Sequence, residues 1–303
     1  MALYVNTNSE AIIAQDNLNT TESALNMSMT DLSSGLRINT AADDAAGYAI
    51  SEDLTSQVNG LNQSSDNAQD ATALIQTADG ALNDVEQMLQ TVRELTVEYN
   101  SGTLDSTDQN AIISEVTQLV CQIEQIGSQA QFNGINLFSP SGTTETTNLS
   151  DGASVNYSTL TFQVGANDGQ TISISLVQLA GNSGILNNIE KLVTGGTINS
   201  TSVSLGSVGN NGTGALSLIS DAIDQVSALA ADFGAVQNRL SYTLDNLSTY
   251  SENLNSAQAT ITDVDMASEE TEFTKDQILE QAGISMLSQA EQNPQAVLKL
   301  LGG

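Results

Sequence analysis

The stretch ISDAIDQVSALAADFGAVQNRLSYTLDNLSTYSENLNSAQATI, residues 219–261, is the most regular in the chain. Ile219, Val226, Phe233, Leu240, Leu247, Leu254 and Ile261 stand seven apart, with Ile223, Ala230, Gln237, Leu244, Ser251 and Gln258 between them. Spacings of three and four put these residues on one side of an α-helix, an a/d register held for six heptads. At a rise of 1.5 Å per residue the helix is about 60 Å long. A seam of that length has to be buried against other helices. Gln237, Ser251 and Gln258 set polar groups in it, which fixes register at some cost in stability.

A matching seam lies in the first half. Ile75, Ala78, Leu82, Val85, Leu89, Val92, Thr96 and Tyr99 alternate spacings of three and four. Ser101-Gly102 then reads as a stop, and Ser106 with Gln109 as a capping box for the next helix. That helix carries Ile112, Val116, Leu119, Ile123 and Ile126, and ends at Gly127 and Phe132-Asn133-Gly134. Three long helices with narrow stripes predict a mainly α fold, an elongated coiled-coil-like bundle formed by the N- and C-terminal regions. The middle, residues 139–214, is rich instead in Gly, Ser, Thr and Asn. Phe162 and Val164, then Ile172, Ile174 and Leu176, alternate on either side of Gly165-Ala166-Asn167-Asp168-Gly169. This predicts one β-hairpin with Asn and Gly at positive φ. Residues 177–214 read as a small β-rich or loop insert, with a short helix near Leu186–Leu192 and a loop at 206–214.

Composition excludes several functions. Six basic and 36 acidic residues leave a net charge of −30 on 303 residues. Phosphate binding needs clustered Lys and Arg, so nucleic acid is not an expected partner. An anionic membrane surface is not one either. The charged fraction is 14%, against about 25% in an ordinary soluble domain, and aromatics are only 4%. Such a chain buries small and aliphatic residues along seams. Histidine is absent, which removes the commonest general base and metal ligand. A single cysteine, Cys121, cannot form an internal disulfide, and one position off the Leu119/Ile123 stripe it reads as a partly buried small hydrophobe. The N-terminus MALYVNTNSEAIIAQ has no basic or long apolar region of a secretory signal, and no segment approaches the ~20 apolar residues of a membrane span.

The remaining signals carry no catalysis. Asp43-Asp44 and Glu269-Glu270 are adjacent acids in a chain full of them. The acids from Asp263 to Glu272 lack the glycine-centred spacing of a calcium loop and read as a solvated connector. GSVGNNGTG (206–214) lacks the Lys-Ser/Thr ending of a phosphate loop. No cofactor and no enzymatic activity are expected. The ends are more informative. Residues 4–34 and 272–300 read as amphipathic helices, with Leu18, Leu25 and Leu32 seven apart in the first. In the second Ile278, Leu279, Ile284, Met286, Leu287, Val297, Leu298, Leu300 and Leu301 crowd together. Neither has an obvious mate in the long bundle, so they pair with each other or with other copies. Between the first of them and the bundle lies LSSGLRINTAADDAAG (32–47), with Arg37 the only basic residue among the first 92.

These residues resemble bacterial flagellin. The matching stretches are LSSGLRINTAADDAAG, LQTVRELTVEYNSG (89–102), QFNGINLF (131–138), FQVGANDGQTI (162–172), FGAVQNRL (233–240) and QILEQAGISMLSQAEQNPQAVLKLL (277–301), in the family's order. The resemblance implies an extracellular filament subunit exported unfolded through the flagellar apparatus without a cleaved signal. It implies an inner layer of terminal helices, an outer layer of bundle and hairpin, and an open helical homopolymer. The division that follows is 1–42 core helix and connector, 43–176 first part of the bundle with the hairpin, 177–214 variable insert, 215–262 long C-terminal helix, and 263–303 connector and core helix. Polymerisation residues are expected to be Leu18, Leu25, Leu32, Ile278, Leu287, Leu298 and Leu301, with Arg37 pairing to an acid such as Asp43 or Asp44 on a neighbouring subunit. Seam residues are Ile75, Leu82, Leu89, Val92 and the heptad from Ile219 to Ile261.

Further expected partners are an export chaperone at the C-terminal region, junction and cap proteins at filament ends, and a host innate immune receptor at Gln90, Arg93, Glu94 and Glu115. Thr91, Ala41-Ala42, Gln258 and Thr260 depart from the family, standing where basic residues are common. Copies at −30 each repel, which predicts a saline, alkaline or divalent-rich exterior. Two rival readings are a flagellar junction or cap-associated protein, whose terminal helices are similar, and a monomeric helical adhesin or effector whose ends pair internally.

Overall fold

The computed structural model describes residues 8–101, 103–138, 145–148, 154–179 and 215–301. Its elements in chain order are α1 (Ser9–Ser34), α2 (Ala45–Tyr99), α3 (Ser106–Gln129), β1 (Gln131–Phe132), β2 (Ile135–Asn136), β3 (Glu145–Asn148), β4 (Ser154–Gln163), β5 (Thr171–Val177), α4 (Ala215–Thr262) and α5 (Met266–Leu301). They fall into two compact units, Asn59–Tyr250 and the two chain ends, Met1–Val58 with Ser251–Gly303.

The Asn59–Tyr250 unit is built on the predicted seams. Ile75, Ala78, Leu82, Val85, Leu89, Val92 and Thr96 are all buried on α2. They share one core with Ile112, Val116 and Ile123 of α3 and with Ile219, Val226, Phe233 and Leu240 of α4. Thr96, polar inside that core, returns its hydroxyl to the Val92 carbonyl at 2.7 Å, so its burial leaves no open donor. Leu247 continues the heptad as buried, while Leu254 and Ile261, in the other unit, are half-buried.

The stripe on α4 is wider than a strict a/d seam. Ala222 and Leu229 are buried, and Ile223 and Ala230 are only partly so. A helix packed against both helices and sheet needs a broader apolar face than a two-stranded coil. On α3 the same widening buries Val120 and leaves Leu119 and Ile126 half-buried. Cys121 therefore falls outside the stripe and is exposed, not partly buried as its sequence position suggested.

Local chemistry corrects four further expectations. The N-cap of α3 is Asp105, whose Oδ1 accepts from the Thr107 and Asp108 amides at 2.7 and 2.9 Å. Ser106 is already helical; a carboxylate one residue earlier is the stronger acceptor at a positive helix end. Asn133-Gly134, read as a helix stop, is the two-residue turn of a second hairpin, β1–β2, with φ of 49° and 78°, the geometry a tight hairpin demands. The larger hairpin, β4–β5, gains a third antiparallel strand, β3. Its register pairs Phe162 with Ile172 and Leu160 with Ile174, so alternate residues of β5 (Ile172, Ile174, Leu176) enter the core. In its loop Gly169 has φ of 81°, whereas Asn167 does not take positive φ.

The loop docks on α2. Ala166 Cβ would lie 3.0 Å from a Cβ placed on Gly60, and Asn67 Nδ2 donates to the Gln163 carbonyl at 3.1 Å. The short helix near 186–192 and the loop at 206–214 lie outside the described residues.

Candidate assembly site

The two chain ends pair with each other. Asn8 Nδ2 donates to the Ala290 carbonyl at 2.8 Å, Leu18 packs over Gly283, and Leu36 bridges Asp263. Residue numbers that rise on α1 and fall on α5 make the pair antiparallel. On α5 the partly buried residues are Glu269, Phe273, Asp276, Glu280, Gly283 and Leu287, followed by buried Ala290, again at spacings of three and four. On α1 they include Leu18, Leu25 and Leu32, with Ser28 buried. Gly283 is there for proximity: a Cβ on it would sit 3.1 Å from Leu18 Cδ1.

Of the expected polymerisation residues, Leu18, Leu25, Leu32 and Leu287 are partly buried, Leu18 against Gly283. Ile278 faces outward, 62% exposed. The side chains of Leu298 and Leu301 lie outside the described residues. What sequence reasoning missed are Ile12 and Ile13, at 53% and 60% exposure, and Met27. With Leu279, Ile284 and Met286 they form the outer apolar surface. The signal was present as apolar residues off the leucine heptad. Ile13, Leu279 and Met286 also line a groove of about 840 Å3 between α1 and α5.

The pair joins α2 and α4 through the stretch around Arg37. Gly35 ends α1 with φ of 74°, its amide on the Asp31 carbonyl at 2.8 Å, a left-handed cap that glycine adopts without steric cost. The Arg37 amide reaches the Thr262 carbonyl at 2.6 Å, and its guanidinium donates to the Ile261 carbonyl at 2.6 Å. Asp44 Oδ1 accepts from the Ala46 and Gly47 amides at 3.0 Å and caps α2. A Cβ on Gly47 would meet Asp44 Oδ2 at 2.6 Å and Ile38 Cδ1 at 2.7 Å. A larger residue there would require the Asp44 carboxylate and the tip of the buried Ile38 to shift. Gln258 Nε2, one of the polar seam residues, donates to Thr55 Oγ1 at 2.9 Å.

The electrostatics follow the hydrogen bonds. Asp43 Oδ2 accepts from the Thr40 and Asn39 amides, at 2.8 and 3.0 Å, and these hold its carboxyl below the ordinary range. Asp31 moves upward: desolvation is the main cause, the Asn39 hydrogen bond opposes it, and Glu269 and Asp43 add repulsion. Neither Asp43 nor Asp44 pairs with Arg37 inside the chain; among the described residues the ion pair is Lys275–Glu272 at 2.6 Å.

Gln90, Arg93 and Glu94 lie together, exposed, along a groove of about 710 Å3 with Val97, Glu98 and Ile223. Glu115 is exposed on α3 and does not line it. Among the described residues no group of three or more His, Cys, Asp or Glu is placed to hold a metal ion. No described helix is long and apolar enough to cross a membrane.

A helical chain whose ends pair and still present an apolar face has the build of a self-associating structural subunit. The family model for the bacterial flagellin N-terminal helical region matches residues 5–143, and that for the C-terminal helical region matches 216–301. The flagellin of Bacillus subtilis (strain 168) is 42% identical over 99% of this chain and all of that one. The flagellar filament 33 kDa core protein of Treponema phagedenis is 37% identical over the same shares. A solved structure assigned as a flagellar hook-associated protein of Vibrio parahaemolyticus shares the fold, at a TM-score of 0.55, 18% identity, and coverage of 73% of this chain and all of that one. The chain belongs to the bacterial flagellin family. It is a structural subunit of the flagellar filament, an extracellular assembly that serves motility.

Proposed function

We propose that copies of this chain polymerise by packing the outer faces of their terminal helix pairs against one another, forming the inner layer of the filament. One observation carries this reading. In the pair Leu18, Leu25, Leu32 and Leu287 are partly buried, while Ile12, Ile13, Ile278, Leu279, Ile284 and Met286 stay exposed. Burying such a side chain from full exposure is worth ~1.5–3 kcal/mol, and each of these, about half exposed, can add roughly half of that. A contact repeated head to tail yields an open helical array.

The finer parts of the reading are these. Residues 1–42 and 263–303 make the inner layer, 43–176 and 215–262 the outer one, and 177–214 its variable surface. Export proceeds without a cleaved signal, with a chaperone on the C-terminal region. Junction and cap proteins meet the same terminal surfaces at the filament ends. The exposed set Gln90, Arg93 and Glu94, with Glu115, is the surface offered to an innate immune receptor. End-to-end similarity to a flagellin and to a filament core protein favours the filament over the junction reading, whose support is the fold alone.

The test replaces outer-face residues. Ile13→Glu with Ile278→Glu abolishes sedimentable polymer at concentrations where the unaltered chain assembles, and leaves the helical circular dichroism in place. Polymer formed in normal yield by this variant overturns the assignment.

A further inference from the structure

We infer that the short segments 35–44 and 261–265 form a single intramolecular clasp, in which Arg37 is the positioning residue that closes the C-terminus of α4 and makes the order of each connector depend on the other. Four helix ends meet here, and each is satisfied by a neighbour in the clasp. The C-terminus of α1 is closed by Gly35. The N-terminus of α2 is capped by Asp44. The N-terminus of α5 is capped by Asp265, whose Oδ1 accepts from Ala267 at 3.0 Å. At the C-terminus of α4 the Asp263 amide still reaches the Ala259 carbonyl at 2.9 Å and the Thr262 hydroxyl the Gln258 carbonyl at 3.0 Å, but the last two carbonyls are met from the other connector. These, Ile261 and Thr262, receive the Arg37 guanidinium and the Arg37 amide.

The signs agree with the positions. The final carbonyls of a helix carry partial negative charge and the first amides positive charge. Acids stand at the two N-termini and the one arginine stands at a C-terminus. This answers why a chain so poor in basic residues keeps one here. The bonds also interlock. Val264 donates back to the Gly35 carbonyl at 3.1 Å. Asn39 Nδ2 donates both to Asp31 Oδ1 and to the Leu36 carbonyl, at 2.8 and 2.9 Å. Asp43 gathers the Asn39 and Thr40 amides. Each connector supplies the partner that the other lacks. The clasp is made within one chain and stands whether or not that chain polymerises.

Amide hydrogen exchange on the full-length chain, soluble and sedimented, tests it. Arg37→Gln raises exchange at position 37 and at Asp263 and Val264 by about three- to tenfold, the loss expected for one charge-assisted bond at an exposed site. It leaves the α2 seam from Ile75 to Val92 unchanged. Arg37→Lys recovers a large part of the protection, because an ammonium can also reach a carbonyl. Raising salt changes the wild-type protection little, because the acceptor is neutral. Asn39→Ala, which removes no contact to α4, still raises exchange at Val264. Unchanged exchange at 263–264 in Arg37→Gln, with assembly lost in a salt-dependent manner instead, would place Arg37 in an ion pair between copies and overturn the clasp. An Asn39→Ala effect confined to residues 31–44 would overturn the mutual dependence. Absence of protection at 37 and 263–264 in both states of the unaltered chain would overturn the whole inference.

Discussion

Three helical glycines of the Asn59–Tyr250 unit separate helix propensity from packing. Gly80 on α2 and Gly234 on α4 have nothing within 4 Å of a Cβ built on them. Replacing either by alanine restricts the unfolded chain and adds no clash, so each gains about 0.5–1 kcal/mol. Gly60 has the same helical backbone but faces the β4–β5 loop, with Ala166 Cβ at 3.0 Å and its Cα at 3.4 Å. Backbone at that distance cannot rotate away. Gly60→Ala forces the loop outward, and overpacking of this kind costs ~1–3 kcal/mol. The two effects oppose, leaving a net change between about zero and a loss of about 2.5 kcal/mol. Gly60→Val, larger and β-branched, loses more. In a unit of this size each kcal/mol moves the midpoint by about 2–4 °C. Thermal unfolding of the chain, followed by far-UV circular dichroism, should show Gly80→Ala and Gly234→Ala melting higher and Gly60→Ala unchanged or lower. Equal stabilisation by all three would refute the docking of the hairpin loop on α2.

Other outcomes follow from the carboxylates, the thiol and the clasp. Asp43 and Asp105 have folded values below the ordinary 3.8, so the stability they add is present above that value and is lost as pH falls through the folded values. Asp105→Asn should therefore flatten the acid limb of an unfolding-versus-pH curve. Asp31 has the opposite sign: raised by desolvation first, it costs stability at neutral pH, and protonation relieves that cost as pH falls through its folded value. Asp31→Asn should remove this gain, read as exchange protection of α1 at pH 7 against mildly acid pH. Cys121, exposed on α3, should react with a maleimide in the folded chain at nearly the rate of the unfolded one; slow labelling would show that it is covered.

The legible parts of the fold were those written in periodicity. Ile75 to Thr96 and Ile219 to Leu247 repeat at three and four because each helix offers the same side to a shared core, and burial follows that spacing. Finer features depend on partners that no local pattern names. On α3 Val120 is buried and Leu119 only partly so, so the buried stripe lies one residue off the predicted one. Asp105 caps in preference to Ser106 because it lies one residue outside the helix. Asn133-Gly134 carried a hairpin signal that the nearby helix end concealed. At the assembly site the leucine heptad of α1 was visible, but its destination was not. Leu18 meets Gly283 across most of the chain's length, while Ile12, Ile13, Ile278 and Met286 remain exposed. Arg37 stood out by charge alone, and its acceptors, carbonyls of Ile261 and Thr262, have no side-chain signature.

The central claim is that exposed terminal faces drive polymerisation against the repulsion of subunits at −30 each. The most direct measurement is electron microscopy of the purified chain, seeded with short filament fragments, across a salt series at neutral pH. Long uniform filaments above a salt threshold, and soluble subunits below it, are the predicted result, since screening at ~0.15 M salt confines repulsion to about 8 Å. Filaments equally abundant at every salt concentration would contradict the charge argument. Short rings, or monomers with protected ends at all concentrations, would contradict the assembly site itself.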